Sequence, residues 1–201
     1  MYAPGAGVDL TGAGTPGGEP GPSDPRGRVP SKCVIPRHLI LDRGALEVGV
    51  PEGGVVQPER GDAGAIVVKD ADNLIQLDIT RWPTGLPDDL PIERFLMNAV
   101  VDGGLELIHG PSGGDRGDHR FTWIEDVFEA PDEDRMGAVR RAHCRWYVCS
   151  NGRTTGQVRF FYWHDDAPWA VPTWQTIIDT VRLGSLPLTS PFAHWSLKTP
   201  D

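Results

Sequence analysis

The side chains best suited to chemistry lie together between positions 109 and 119. Two imidazoles and two carboxylates stand within this segment, at His109, Asp115, Asp118 and His119. Such ligands suit Zn²⁺ or Mn²⁺, so a metal-dependent enzyme that uses the 109–119 loop is one hypothesis. The segment also holds four glycines and one proline, which predicts a flexible hairpin loop, whereas preorganised ligands usually lie on rigid elements. The spacing matches no established ligand motif, so we favour a solvated loop and predict no bound metal.

Other histidines have charged neighbours along the chain. His164 precedes two aspartates, and an aspartate that contacts a histidine can tune a general base. We favour a structural interpretation, because carboxylates ahead of a helix often form turns and pair with the helix dipole. His143 lies on a predicted strand whose polar face pairs with acidic residues of the preceding strand, which predicts cross-strand pairs among Arg141, His143, Arg145, Glu125 and Glu129. Sequence motifs of nucleotide binding, serine hydrolysis and zinc proteolysis are missing, so no catalytic or cofactor-binding residue is assigned.

Composition narrows the class of protein. The chain has 201 residues, enough for one domain with a sizeable core, and a net charge of −9. An acidic chain argues against nucleic acid as a partner, because that binding neutralises phosphates with Lys and Arg. The three cysteines form no CxxC pair, which favours reduced thiols. No apolar run suits a transmembrane segment and no signal peptide is readable, so we expect a cytoplasmic location.

The elements that position these residues centre on a long hairpin followed by a helix. Residues 138–149 alternate strictly between two faces, and residues 157–164 are aromatic on both, which predicts a central strand covered on both sides. Ser150-Asn151-Gly152 suits the turn between the two arms. A helix is predicted to begin near Pro172 and to end at Gly184, with an apolar stripe formed by Trp174, Ile177, Ile178 and Val181.

Further strands and one more helix complete the predicted domain. The helix is capped by Asp88 or Asp89 and ended by Gly103, with an apolar stripe at Ile92, Phe95, Leu96, Ala99 and Val100. A polar loop is predicted at 57–62, and strands at 46–50, 65–69, 74–82, 105–108 and 120–128. Three strands, a helix, four strands and a helix predict an α+β fold, in which two helices pack on an antiparallel sheet of about seven strands.

Two extended arms are predicted to flank this domain, which spans residues 45–184. Residues 1–44 contain nine glycines and seven prolines, so we predict a segment that is disordered alone or held along a partner. The tail at 185–201 is Pro-broken but apolar, so we expect it to pack on the domain or on a neighbour. Large aromatic side chains in irregular segments often anchor interfaces, which predicts partner contacts at Trp82, Trp169, Phe192 and Trp195.

Three stretches resemble a known superfamily. Leu46-Glu-Val-Gly-Val-Pro-Glu-Gly53 is similar to the opening strand and Pro-Glu-Gly turn of PsbP-like proteins. The strand pair at 65–80 and the closing segment at 174–184, which ends in Thr180-Val-Arg-Leu-Gly184, also match. The resemblance implies a PsbP-like α/β/α sandwich over about residues 45–184. It carries over no catalytic residue, because members of that superfamily, which include extrinsic photosystem subunits and small chaperones, mostly bind other proteins.

Together these observations favour a non-catalytic accessory or scaffold subunit, without a cofactor, that binds other protein subunits through its arms and exposed Trp residues. Two alternatives remain open. One is a small cytoplasmic chaperone or adaptor of a secretion system, which a concave apolar sheet face would favour. The other is the metal-dependent enzyme of the 109–119 loop.

Overall fold

The computed structural model describes residues 34–41, 44–58, 66–69, 75–82, 90–132, 136–184 and 195–199. In these ranges the strands are β1 (Arg37–Leu41), β2 (Leu46–Val50), β3 (Val55–Pro58), β4 (Ile66–Lys69), β5 (Ile75–Trp82), β6 (Glu106–Arg116), β7 (His119–Asp132), β8 (Ala138–Ser150), β9 (Thr155–Trp163), β10 (Arg182–Leu183) and β11 (Trp195–Lys198). The helices are α1 (Ile92–Gly103) and α2 (Ala167–Ile178), and a 3₁₀ turn at His164–Asp166 leads into α2. Neither helix is long and apolar enough to cross a membrane.

The strands form two antiparallel sheets. The larger sheet has seven strands in the order β3-β4-β5-β9-β8-β7-β6, and the smaller has four in the order β10-β2-β1-β11. The predicted α+β fold with two helices on an antiparallel sheet is confirmed. The smaller sheet was outside that prediction, because it pairs the two ends of the domain: Leu41 of β1 lies opposite Trp195 of β11.

The larger sheet is covered differently on its two faces. Helix α1 packs on one face, where its predicted apolar stripe buries Ile92, Leu96 and Val100 against Ile124 and Val148 of the sheet. The other face is covered by α2 and the smaller sheet, which together enclose the main core. The helices thus lie on opposite sides of the sheet, as an α/β/α sandwich requires.

The central hairpin follows its predicted pattern. Tyr147 and Phe160 point into the main core and are fully buried, and both rings contact the indole of Trp174 on α2. The opposite face of the same strands carries Trp146 and Val148 toward α1. The aromatic pattern of residues 157–164 predicted a central strand, and β9 lies between β5 and β8. The predicted cover of both faces is only partial, because Phe161 and Trp163 on the α1 side of β9 are half-buried.

Two segments predicted to be irregular are strands. Residues 37–41, assigned to the N-terminal arm, form β1, because the apolar side chains of Leu39 and Leu41 are buried in the main core. Residues 55–58, assigned in part to a polar loop, form the edge strand β3 beside β4.

The predicted strand at 46–50 exists as β2 but belongs to the smaller sheet. Part of the C-terminal tail packs on the domain as β11, and residues 1–33 and 185–194 lie outside the described ranges.

The glycine-rich segment at 109–116 is not a loop. It is the second half of β6, which pairs with β7 as far as Arg116 opposite His119. An edge strand needs hydrogen bonds on one side only, so Pro111 is tolerated there, and two register shifts between Leu107 and Ser112 absorb the irregularity. Glycine permits the close pairing, because a Cβ atom at Gly113 would overlap the Phe121 carbonyl oxygen.

The boundaries of α2 also differ from the prediction. The helix begins at Ala167, with Pro168 in its first turn, so Pro172 lies inside the helix rather than at its start. Pro172 has no N–H to donate to the carbonyl of Pro168, but both residues are exposed, where water can bond that carbonyl. Gly184 does not end the helix. Its N–H bonds the Ala45 carbonyl at 3.0 Å, and a Cβ atom there would overlap the Gly44 carbonyl oxygen.

The start of α1 is only partly comparable with the prediction. The helix follows Pro91, whose side chain makes no capping hydrogen bond, and the proposed caps Asp88 and Asp89 lie outside the described residues. Its end comes at Gly103, followed by Gly104 in the left-handed conformation at φ 60°. The N–H of Gly104 bonds the Val101 carbonyl, which satisfies a group that the helix leaves open. The predicted end of the helix is confirmed.

Candidate functional site

An open groove lies on the larger sheet beside α1. It encloses about 260 Å³ and is lined mainly by apolar side chains: Gln76, Phe128, Ala130, Ala142, Phe161, Tyr162 and Trp163. We call it the aromatic groove. Strand register explains it, because Ala142 of β8 stands between Phe128 of β7 and Trp163 of β9 and its small side chain leaves a hollow. Phe128 is 37% exposed, so the groove opens to solvent.

Aromatic rings and guanidinium groups build the sides of the aromatic groove. The rings of Phe128 and Phe161 meet edge to face at 6.4 Å. At one end the Arg140 guanidinium lies over the Trp163 ring at 4.6 Å, and at the other the Arg159 guanidinium lies 5.9 Å from the Phe161 ring. These rigid rings present a preformed apolar surface with polar ends.

An ion-pair group holds the Arg140 end in place. The guanidinium donates to Asp132 at 2.6 Å and to Asp165 at 3.3 Å, and the side chains of Arg140 and Asp132 are largely buried. Burial alone would lower the pKa of Arg140, but its hydrogen bonds to the two aspartates raise the pKa instead. Arg140 thus stays charged and ties the β7–β8 hairpin to the turn before α2.

Beneath the opposite face of the sheet lies a buried charge cluster, formed by Glu125, His143, Arg145 and Tyr162. The Glu125 carboxylate accepts hydrogen bonds from the Tyr162 hydroxyl, from His143 Nδ1 at 3.0 Å and from Arg145 at 2.9 Å. Glu125 and His143 are only 5% and 6% exposed. The predicted cross-strand pairing of these residues is present, but the structure buries it inside the fold.

The protonation of the buried charge cluster follows from its contacts. Burial would raise the pKa of Glu125, but the Tyr162 hydrogen bond and the Arg145 charge outweigh it and lower that pKa. Burial lowers the pKa of His143, although its hydrogen bond to Glu125 acts in the other direction. Burial also raises the pKa of Tyr162, so its hydroxyl keeps its proton. The cluster therefore holds an ionised carboxylate beside a neutral imidazole.

A pH dependence of stability follows from these directions. Because the folded protein lowers the pKa of His143, the unfolded chain binds a proton at this residue more readily than the folded chain does below about pH 6.5. Protonation then favours the unfolded chain, so stability that is present above about pH 6.5 is lost as the pH falls. We expect urea unfolding to show a lower free energy at about pH 5.5 than at about pH 7.5. The difference should shrink in His143→Gln, which keeps a donor for Glu125 but does not titrate. An equal difference in that variant would contradict this account of His143.

The four candidate metal ligands are not brought together. His109 stacks on the Trp123 ring at 4.3 Å, whereas His119 is buried at the other end of the hairpin, roughly 20 Å along the strand, where it contacts Asp118 and the Tyr147 hydroxyl. Asp115 pairs across the sheet with Arg120. Among the described residues, no three His, Cys, Asp or Glu side chains are grouped to hold a metal ion.

The predicted partner contacts fall in different surroundings. Trp169 on α2 is half-buried against the main core, and its Nε1 donates to Asp166 at 3.4 Å. Trp82 ends β5 opposite Thr155, Trp195 begins β11 opposite Leu41, and Phe192 lies outside the described residues.

No pattern in the sequence singled out Phe128, because a groove of this kind depends on side chains from four strands. The double aromatic face of residues 157–164 was the feature that pointed toward it.

The buried cysteines take no part in either site. Cys149 is fully buried, its thiol donates to the Gly156 carbonyl, and burial raises its pKa to about 12. Cys144 is buried as well, and neither of these two residues is in a disulfide. Reduced thiols were predicted for all three cysteines, and Cys33 lies outside the described residues.

Comparison with solved structures defines the class of fold. The solution structure of cyanobacterial PsbP (CyanoP) from Synechocystis sp. PCC 6803 is similar with a TM-score of 0.53 and 12% sequence identity, over 75% of this chain and 94% of that chain. A crystal structure from Bacteroides thetaiotaomicron VPI-5482 has a TM-score of 0.48 and 11% sequence identity, over 78% of this chain and 50% of that chain. The fold is PsbP-like, as the resemblance in the sequence indicated.

The sequence also places the chain in a family. Residues 37–186 match the model of the Alr1449 family, and the chain belongs to that family. The match starts at the first residue of β1, in agreement with the structural boundary of the domain. No curated protein matches the chain by sequence.

Proposed function

We propose that this protein is a non-catalytic accessory subunit that binds an extended apolar segment of another protein in the aromatic groove. The observation that carries the proposal is the groove itself, an open hollow walled by Phe128, Phe161 and Trp163. Rigid aromatic side chains bury large areas at little entropic cost and dominate the energetics of protein interfaces. Such a surface gives a partner's apolar side chain a ready pocket.

The surroundings of the groove support a protein segment as its ligand. The hollow is shallow and open, so it accommodates side chains of a longer chain better than an enclosed small molecule. The guanidinium groups of Arg140 and Arg159 stand at its two ends, where main-chain carbonyl groups of a bound segment would lie. Other PsbP-like proteins mostly bind proteins, which agrees with this proposal.

Contacts outside the groove extend the proposed interface. Trp82, Trp169, Phe192 and Trp195 remain proposed contacts, together with the segments that precede β1 and follow β10. Of these, Trp169 is the one whose side chain is described, and its half-buried ring leaves one part accessible. The cytoplasmic location stays a prediction.

The test compares two substitutions on the same hairpin. Phe128→Ser removes a wall of the groove, whereas Val139→Ser changes a more accessible apolar residue that does not line it and is 67% exposed. Affinity capture from the cells that make the protein is expected to yield a defined set of proteins with the unmodified chain and with Val139→Ser. We expect Phe128→Ser to reduce their recovery about tenfold, the effect of losing an anchor residue of an interface.

Two results would contradict the proposal. One is that the unmodified chain and Val139→Ser retain no proteins above background. The other is that Phe128→Ser and Val139→Ser retain the same proteins in the same amounts. Both variants should first be shown to unfold in urea like the unmodified protein.

The second candidate function is a small adaptor or chaperone that holds a client segment. The specific observation in its favour is that the groove lies on the sheet face, where an adaptor would hold a client. The two functions differ in the lifetime of the complex with the bound protein. A subunit stays in a complex of fixed composition, whereas an adaptor releases its client. Size-exclusion chromatography of the captured complexes distinguishes them, because only a subunit elutes with its partners in constant proportion.

A further inference from the structure

The turn before α2 is tied to the buried charge cluster by a pair of histidines. His143 Nε2 lies 2.9 Å from His164 Nδ1, and the two rings stack at 5.2 Å. His143 is buried, whereas His164 is exposed at the start of the 3₁₀ turn. A continuous line therefore runs from the Glu125 carboxylate through His143 to an imidazole in contact with solvent.

The hydrogen-bond partners fix where the protons lie. Tyr162 and Arg145 both donate to Glu125, so the carboxylate acts as an acceptor, and His143 must donate to it from Nδ1. Neutral His143 then has only a lone pair at Nε2. The bond to His164 exists because His164 donates its Nδ1 proton into that lone pair. One proton is shared between the facing nitrogens.

We propose that the His143–His164 pair is a pH-operated latch that holds the turn before α2 closed while one proton lies between the facing nitrogens and opens when both rings are protonated. A neutral His164 can still accept from a protonated His143, because its own proton can move to Nε2. When both rings are protonated, two N–H groups stand face to face at the present 2.9 Å, so the hydrogen bond is lost and His164 turns toward solvent. Charged and titratable groups face His143 from each element around it: Glu125 on β7, Arg141 and Arg145 on β8, Tyr162 on β9 and His164 in the turn.

Opening of the latch would change one end of the aromatic groove through Asp165, the residue that follows His164. Asp165 of the same turn pairs with Arg140, and that guanidinium covers the Trp163 ring at the end of the groove. When the turn moves, Arg140 loses one of its two carboxylates. The consequence for partner binding rests on the proposed function, but the latch does not, because its opening is measurable on the protein alone.

Hydrogen exchange followed by mass spectrometry tests the latch on the full chain. Rates are measured at about pH 7.5 and about pH 5 and corrected for the intrinsic effect of pH on exchange. We expect protection over residues 163–170 to fall about tenfold at the lower pH in the unmodified protein. His164→Gln places a neutral amide at this exposed position, which can donate to His143 or accept from it. This pH-dependent loss of protection, the pH step, should therefore disappear in that variant. The matched control, His109→Gln, changes another exposed histidine and should keep the step.

Nitrogen-15 NMR of the imidazoles gives a second readout. At about pH 7.5 the His143 Nε2 signal should have the shift of an unprotonated nitrogen and the Nδ1 signal that of a protonated one. A reversed pattern, a pH step that persists in His164→Gln, or unchanged protection of residues 163–170 in the unmodified protein would each overturn the proposal. Loss of the step in His109→Gln would also overturn it.

Discussion

Replacement of Glu125 by glutamine is expected to lower the free energy of unfolding by about 3–5 kcal/mol. The substitution keeps the shape of the side chain but removes its charge, which leaves the Arg145 guanidinium, 13% exposed, without its carboxylate. Stranded buried charges are costly because burial has already removed their hydration. Glutamine offers one amide oxygen in place of two carboxylate oxygens, so if His143 and Tyr162 keep their bonds at Oε1, the Arg145 guanidinium faces an amide N–H group in place of Oε2. Equilibrium unfolding in urea measures the change.

Glu106→Gln is the matched control for this experiment. Glu106 is exposed on the neighbouring edge strand β6, so the same chemical change should shift stability by less than about 0.5 kcal/mol. If Glu125→Gln were as mild as the control, the carboxylate would not be the centre of the buried charge cluster. The double variant Glu125→Leu with Arg145→Leu should be more stable than Glu125→Gln, because it leaves no unpaired charge.

The Trp174→Ala substitution is expected to cost about 3–5 kcal/mol, the usual range for loss of a large buried aromatic side chain. Trp174 is 1% exposed and joins α2 to the sheet through ring contacts with Tyr147 at 6.2 Å and Phe160 at 5.7 Å. Without the indole a cavity remains between the helix and the sheet. Thermal and urea unfolding measure the loss.

The control for Trp174 lies on the same helix. Gln175 is exposed and its amide bonds only the Asp179 carboxylate, so Gln175→Ala should change stability by less than about 0.5 kcal/mol. A cost below about 1 kcal/mol for Trp174→Ala would mean that α2 does not depend on this contact. Equal costs for both variants would contradict the packing described for α2.

Local sequence patterns predicted the central part of the fold. Strict alternation over residues 138–149 identified β8, and the spacing of Ile92, Leu96 and Val100 identified α1, because each element buries one regular set of side chains. Residues 109–116 were misassigned, since glycine and proline content was taken to indicate a loop. An edge strand tolerates both residue types, and composition does not reveal which strand will be an edge.

Long-range pairing accounts for what the sequence did not reveal. β1 and β11 meet across most of the chain, and no local pattern links Leu41 to Trp195. The candidate sites also depend on contacts between residues that are far apart in the sequence. Glu125, His143 and Arg145 were predicted to pair, but they are also in a cluster with Tyr162 of β9 and His164 of the turn before α2, which no local pattern linked to them. The aromatic groove likewise exists only once four strands are aligned.

The most direct test of the proposed accessory function is site-specific photo-cross-linking in the cells that make the protein. A benzophenone amino acid is placed at position 128 in the aromatic groove, and in a parallel strain at position 139, which is exposed on the same hairpin but outside the groove. We predict one discrete covalent adduct from position 128, with a partner peptide identified by mass spectrometry, and none of that adduct from position 139. Absence of any adduct at position 128, or the same adducts from both positions, would contradict binding of a partner segment in the groove.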